Sequence, residues 1–361
     1  MLRIINVIYI YLAIIILLIL FNLGYIIYEK IINKKISNNT SKYKKIILND
    51  LKHKKINQNS IDYFSRKLKN INNLRAYNSV ITELIKTKSK KMDEYFNKYA
   101  VIFNRLSYHY IKYESMKKAY FAYVIRTCYF KKEVASGQVI DFIFSIIKDK
   151  SIYARENAML FLYTNGCEEL VVDALKIICK NNLYYNQILL ANDLLKFRGN
   201  EKRLKDKLLL NYDNFSDEFK ISIINYFRFS KSNDYLQFFL TKLENRNINK
   251  EVYLALLRLF GKYKEENALK YLLESLNLKG DELFEYRLVS ASSLKIYQSD
   301  VVKNALINAL KDKNWFVRKN AALSLANFEL SDDDLREINS DRYAKEMLDF
   351  IMEEKEVVKW I

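Results

Sequence analysis

The chain has 361 residues, with 60 Lys or Arg against 42 Asp or Glu for a net charge of +18, no proline and only 6 glycines. Average usage near 5% would give about 18 prolines, and strand-rich domains need turn residues in quantity, so the composition argues against strands and for helices nearly throughout. So few glycines could hardly supply a P-loop, a dinucleotide fingerprint or a nucleophile elbow, and none of these motifs occurs.

Residues 1–3 form a short tail. Residues 4–28, IINVIYIYLAIIILLILFNLGYIIY, carry no charged side chain between Arg3 and Glu29. As a helix this stretch would be roughly 37 Å long, enough to cross a ~30 Å hydrocarbon core with some tilt. A cleavable signal would have an apolar run of ~7–15 residues and a small-residue cleavage site. Here the run is longer and ends in LGYIIYEK. A soluble core helix rarely stays apolar on every face for so many turns. Asn6 and Asn22 are the strongly polar side chains inside, and both lie near the ends. The segment reads as an uncleaved membrane anchor.

Only Arg3 and the terminal amine precede it. Lys30, Lys34, Lys35, Lys42, Lys44, Lys45, Lys52, Lys54 and Lys55 follow, against Glu29 and Asp50. Basic residues within ~15–20 positions of a span favour the cytoplasmic side. The expectation is a single-pass protein of the cell membrane, amino terminus outside and carboxy-terminal domain cytoplasmic. Cys128, Cys167 and Cys179 are few and odd in number for a disulfide framework, as suits a reducing compartment. The overlapping sequons at Asn38-Asn39-Thr40-Ser41 read as chance in so Asn-rich a chain.

Residues 1–135 hold 26 Lys or Arg and 8 Asp or Glu, whereas residues 136–361 hold 34 of each. Three readings compete for this excess. Anionic lipid headgroups attract basic residues by about 1 kcal/mol each close to the surface, which makes Lys30, Lys34, Lys35, Lys42, Lys44 and Lys45 candidate headgroup contacts. Nucleic-acid binding is the second. The third is a topology signal combined with AT-rich coding for Lys, Asn, Ile and Tyr. A nucleic-acid groove would place basic residues along the charge-balanced later region, so nucleic acid is disfavoured as a partner.

Residues 29–60 form a basic juxtamembrane segment, expected as a helix leaving the membrane and then a looser linker. Residues 61–138 are a helical membrane-proximal region, with Ala119, Ala122, Tyr123, Ile125 and Arg126 at helical spacing. Self-similarity follows. KDKSIYARENAMLFL at 148–162 matches KDKNWFVRKNAALSL at 311–325, an offset of 163 residues. Arg155, Gln187, Lys220, Val252, Arg287 and Arg318 open similar amphipathic runs, stepping by 32, 33, 32, 35 and 31. Ala158, Leu190, Ile223, Ala255, Ser290 and Ala321 follow three places later. A ~32-residue period with two short helices per unit is an α-solenoid signature.

VVKNALINALKDKNWFVRKNAALSLANFEL at 301–330 resembles a HEAT repeat: an apolar first helix, Asp312 in the turn, Val317-Arg318 opening the second helix, then the small residues Ala321 and Ala322. IDFIFSIIKDKSIYARENAMLFLYTNG at 140–166 is similar, with Ala154 in place of the Val. The resemblance covers about 139–330 and implies an all-α fold, in which a single N-terminal transmembrane helix is followed by a right-handed α-solenoid of HEAT-like helix pairs. In such repeats the pairs Asp149–Arg155 and Asp312–Arg318 would form a structural ladder between turn and helix, with Trp315 as packing. Residues 331–361 read as capping helices, opened by Ser331 before Asp332-Asp333-Asp334, with Trp360 near the end.

No chemistry stands out. His53 and His109 lack metal-ligand spacing, except for a distant His109–Glu114 pair, and the cysteines form no C-x-x-C. No catalytic, cofactor or metal residue is expected. The leading reading is a non-enzymatic bacterial scaffold that binds a membrane-associated protein at the cytoplasmic face, by analogy in a membrane enzyme complex such as surface-polysaccharide synthesis. The alternatives that the resemblance implies are a nucleic-acid-binding or base-repair protein and a bilin-lyase-like protein.

Overall fold

The computed structural model describes residues 2–52, 57–128, 137–245 and 247–358; the side chains of residues 2–8, 10, 89 and 354–358 are outside the description. His53, Lys54, Lys55 and Trp360 lie outside the described residues. The helices are α1 (Leu2–Asp50), α2 (Gln58–Lys67), α3 (Ile71–Tyr110), α4 (Ser115–Cys128), α5 (Gly137–Ile147), α6 (Ile152–Asn165), α7 (Glu168–Lys180), α8 (Gln187–Leu194), α9 (Glu201–Leu210), α10 (Asp217–Phe229), α11 (Leu236–Glu244), α12 (Lys250–Phe260), α13 (Leu269–Leu276), α14 (Phe284–Ser293), α15 (Asp300–Ala309), α16 (Trp315–Leu325), α17 (Asp332–Asn339) and α18 (Arg342–Val358). The fold is all-helical, with no strand among the described residues. Two compact units emerge, one within 1–184 plus 196–207, the other within 185–195 plus 208–361.

In the first unit, α1 is one helix of 49 residues, about 73 Å long. Two of its polar side chains bond back along the helix itself: Asn22 Nδ2 donates to Leu18 O (2.8 Å) and Thr40 Oγ1 to Ile36 O (2.9 Å). Residues 11–31 are exposed on every face. Past them a stripe at helical spacing goes inward, from half-buried Ile32, Ile36 and Asn39 to buried Tyr43, Ile47 and Asp50. The segment expected to loosen into a linker is therefore helical to Asp50, and its second half belongs to the core.

Asp50 ties this end to the next helix. Its Oδ1 accepts from Asn57 Nδ2 and Ser60 Oγ, both at 3.1 Å, and Asn57 caps α2. α2 then runs back along α1. Phe64 meets Tyr43 edge-on at 5.4 Å, and α2 finishes level with Asn39, whose Nδ2 donates to Asn73 Oδ1 (2.9 Å) while Asn73 Nδ2 donates to Lys67 O (2.9 Å).

α3 folds back on itself. Asn73 and Tyr110 are 37 residues apart, about 55 Å in a straight helix. Yet both reach the end of α2, since Tyr110 Oη donates to Leu68 O at 2.7 Å. The rings of Tyr77 and Phe103 meet at 6.3 Å across the two limbs. The reversal falls at Lys88, whose backbone (φ −142°, ψ 39°) is not helical. Aromatic contacts continue outward: Tyr110 stacks on Phe121 at 4.3 Å, and Phe121 meets Phe142 at 5.1 Å. α4 and α5 pack on α6, and α6 on α7. Gly166 ends α6 at φ 79°, and a Cβ on Gly199 would overlap the Gly166 carbonyl.

In the second unit α8, α10, α12, α14, α16 and α18 pack in succession, while α11, α13, α15 and α17 each pack on the helix that follows them. The periodic residues Ala158, Leu190, Ile223, Ala255, Ser290 and Ala321 lie on α6, α8, α10, α12, α14 and α16, and all are buried. Tyrosines about one period further on close the carbonyl ends of earlier helices. Tyr263 Oη donates to Ser230 O, and Tyr297 Oη to Phe260 O (3.1 Å). The last helices begin as the sequence suggests: Ser331 and Asp334 form a reciprocal capping box, and Lys303 Nζ lies 2.9 Å from Asp334.

Burial pushes Tyr43 and Tyr297 up to about 12, and raises Tyr110 and Tyr212 as well. A folded phenol that holds its proton past the ordinary ~10 contributes stability that is complete below about pH 10 and is lost as pH rises through the folded value. Alkaline unfolding between about pH 10 and 12 is the expected result. Tyrosinate absorbance should then rise in step with loss of helical circular dichroism. A smooth titration near pH 10 with helicity intact would contradict it.

Candidate membrane interface and repeat surface

The apolar part of α1 is long and apolar enough to cross a membrane, and none of it is buried against the rest of the chain. Along the axis from Tyr28, Lys30, Lys34 and Lys35 lie about 3–11 Å away and are exposed. Lys42, Lys44 and Lys45 lie about 21–26 Å away, beside other helices. Lys42 sits over the Tyr63 ring at 5.2 Å, Lys44 pairs with Glu83, and Lys45 lines a cleft of about 440 Å³ with Asp50, Asn57 and Ser60. The six candidate headgroup lysines thus split into a near set clear of other helices and a far set that lies beside α2 and α3.

The fold of α2 and α3 redistributes the remaining charge. The α2–α3 turn (68–70) and the α3–α4 turn (111–114) stand at the end nearest Tyr28, level with Asn39 or below it, about 16 Å along the axis. The reversal at Lys88 stands at the opposite end, a further ~22 Å along. Lys86, Lys88, Lys90 and Lys91 are exposed there. Positive charge of this stretch therefore lies at the two ends of the α2–α3 limbs, separated by far more than a Debye length of about 8 Å. Lys67, Lys69 and Lys112, at the near end, are exposed and form no ion pair among the described residues. Their adjacency is hidden in the sequence because the reversal that brings them together leaves no Gly or Pro to mark it.

His109 is accounted for locally. Its Nε2 lies 3.0 Å from Tyr113 Oη, and burial, followed by the Lys69 charge, holds it below its ordinary value. Glu114, its suggested metal partner, pairs with Lys117 at 2.9 Å. No group of three metal-ligating residues occurs among the described residues.

The repeat turns are tied differently from a simple Asp–Arg pair. Arg155 Nη1 donates to the main-chain carbonyls of Asp149 (2.7 Å) and Lys150 (3.0 Å), and Nη2 to Tyr184 O (2.8 Å). Arg318 Nη1 does the same to Asp312 O (2.8 Å) and Lys313 O (3.0 Å). The carboxylates face the preceding helices instead. Asp149 accepts from Ser115 Oγ (2.8 Å). Asp312 accepts from Arg287 Nε (2.6 Å) and Nη2 (3.3 Å), and Arg287 Nη1 donates to Gly280 O (2.7 Å). Asp312 thus pairs with the arginine one period upstream. Gly280, Arg287 and Asp312 line a cleft of about 780 Å³, but the Arg287 guanidinium is already engaged by carbonyls and carboxylate.

Apolar residues open several even-numbered helices on the outside. Trp315 is 43% exposed and Phe316 56%, although packing was expected of Trp315. Their equivalents Ile152 and Tyr153 on α6 are exposed too, as are Ile188 and Leu189 on α8. Lys319 bridges Trp315 (5.3 Å) to exposed Phe350 on α18 (5.9 Å), and Arg318 lies over exposed Tyr343 at 5.4 Å. Compared with protein-family models and with curated proteins, the chain matches none.

Proposed function

We propose that this chain is a single-pass anchored scaffold of the cell membrane, amino terminus outside, whose cytoplasmic HEAT-like α-solenoid holds a membrane-associated protein partner. The succession of even-numbered helices and the burial of every periodic position support the repeat reading. The exposed apolar stretch of α1 and the lysines after it support the anchor and its orientation.

The observation that carries the binding role is the Trp315–Phe316–Phe350 patch with Lys319 among its rings. Exposed aromatic side chains grouped in one patch are the residue types that anchor protein interfaces. In-cell crosslinking followed by purification from solubilised membranes tests it. The wild-type chain should recover a discrete set of membrane proteins that a Trp315→Ala/Phe316→Ser variant loses. Identical recovery by both would remove this face as the docking surface.

A further inference from the structure

The turns at the near end of the first unit form a surface that sequence order conceals. Tyr110 Oη donates to Leu68 O, which seats the α3–α4 turn against the α2–α3 turn. Lys67, Lys69 and Lys112 are exposed there, beside exposed Ile111 and Met116, the latter 68% accessible. From Tyr28 to the level of Asn39 is about 16 Å. A headgroup layer takes up roughly 5–8 Å of that distance. What remains is about one Debye length at physiological salt, a gap that tilting α1 towards this side closes. Lysines at this height feel an anionic surface, whereas Lys86, Lys88, Lys90 and Lys91 at the far end do not. Basic side chains around exposed aliphatic ones are the composition of an interfacial membrane contact.

We infer that the α2–α3 and α3–α4 turns are a second membrane contact, in which Lys67, Lys69 and Lys112 engage anionic headgroups while Ile111 and Met116 face the interface. This rests on α1 being the anchor. With α1 continuous into the core, the contact would fix the tilt of the whole first unit at the bilayer as well as its distance.

The test uses the full chain in phosphatidylcholine vesicles with or without phosphatidylglycerol. An environment-sensitive fluorophore is placed at Met116→Cys or, separately, at Ile16→Cys, with Cys167 and Cys179 changed to Ser and buried Cys128 kept. The label at 116 should be quenched by headgroup nitroxide lipids when phosphatidylglycerol is present. High salt, or a Lys67→Glu/Lys69→Glu/Lys112→Glu variant, should abolish most of that quenching. The label at 16 should be quenched by acyl-chain nitroxides in every preparation. A quenched label at 16 with an unquenched one at 116 overturns the second contact and leaves the anchor standing, freeing the patch for a protein. Equal quenching at 116 in both lipids overturns the recognition of anionic headgroups. No quenching at either site overturns the anchor, and the contact with it.

Discussion

Asp312→Ala should destabilise the second unit by about 3–5 kcal/mol, because it strips one partner from a buried ion pair. The side chains of Arg287 and Asp312 are 8% and 13% accessible, and the guanidinium spans Asp312 Oδ2 on one side and Gly280 O on the other. Removing the carboxylate leaves a buried charge with carbonyls alone. It also deprives Asn314 N of its 2.8 Å bond to Asp312 Oδ1 at the start of α16. Arg342→Ala is the control, since its pair with Glu346 is exposed and such pairs contribute little. Thermal unfolding of the detergent-solubilised chain separates the two. If Asp312→Ala moves the midpoint no further than Arg342→Ala, the tie is not what holds these turns.

Tyr43→Ala should destabilise the first unit by about 3–5 kcal/mol. Tyr43 is 1% exposed and lies edge-on to Phe64 at 5.4 Å, which in turn meets Tyr77 at 5.2 Å. The loss would empty the seam between α1, α2 and the first limb of α3. The functional consequence is larger than the number suggests. In the proposed arrangement α1 would carry its tilt in the bilayer straight into the core, as a flexible linker would not. Proteolysis should show the same variant newly cleaved between Lys34 and Lys45, where the wild type resists. Unchanged cleavage and an unchanged melt would mean that α1 is not part of the core.

Much of this was legible in the chain. Absent proline predicted helices, the uncharged run at 4–28 predicted the exposed half of α1, and the period near 32 picked out six positions that are all buried. Three features were not legible, for physical reasons. The reversal at Lys88 sits in LIKTKSKKM, a run with no breaker, and shows only in long-range contacts such as Tyr77 meeting Phe103. The core half of α1 reads as linker because its buried stripe is thin among Lys and Asn. Asp312 has Arg318 six residues away, yet it pairs with Arg287 twenty-five residues upstream. A spacing rule sees the near arginine, while the turn geometry offers that arginine a main-chain carbonyl. The patch at Lys67, Lys69 and Lys112 shares the first cause, since only the fold-back makes neighbours of those turns.

The proposed anchor is one unbroken helix that would span the membrane and enter the core. Nitroxide labels placed singly along residues 11–47 of the liposome-reconstituted chain test it most directly. A span-and-core helix gives high oxygen access and low access to a water-soluble relaxant on all faces from 11 to 28. Beyond Glu29 it gives a period near 3.6, with positions 43 and 47 shielded from both reagents. Free access of the water-soluble relaxant to 11–28, or loss of periodicity after Glu29, would contradict it.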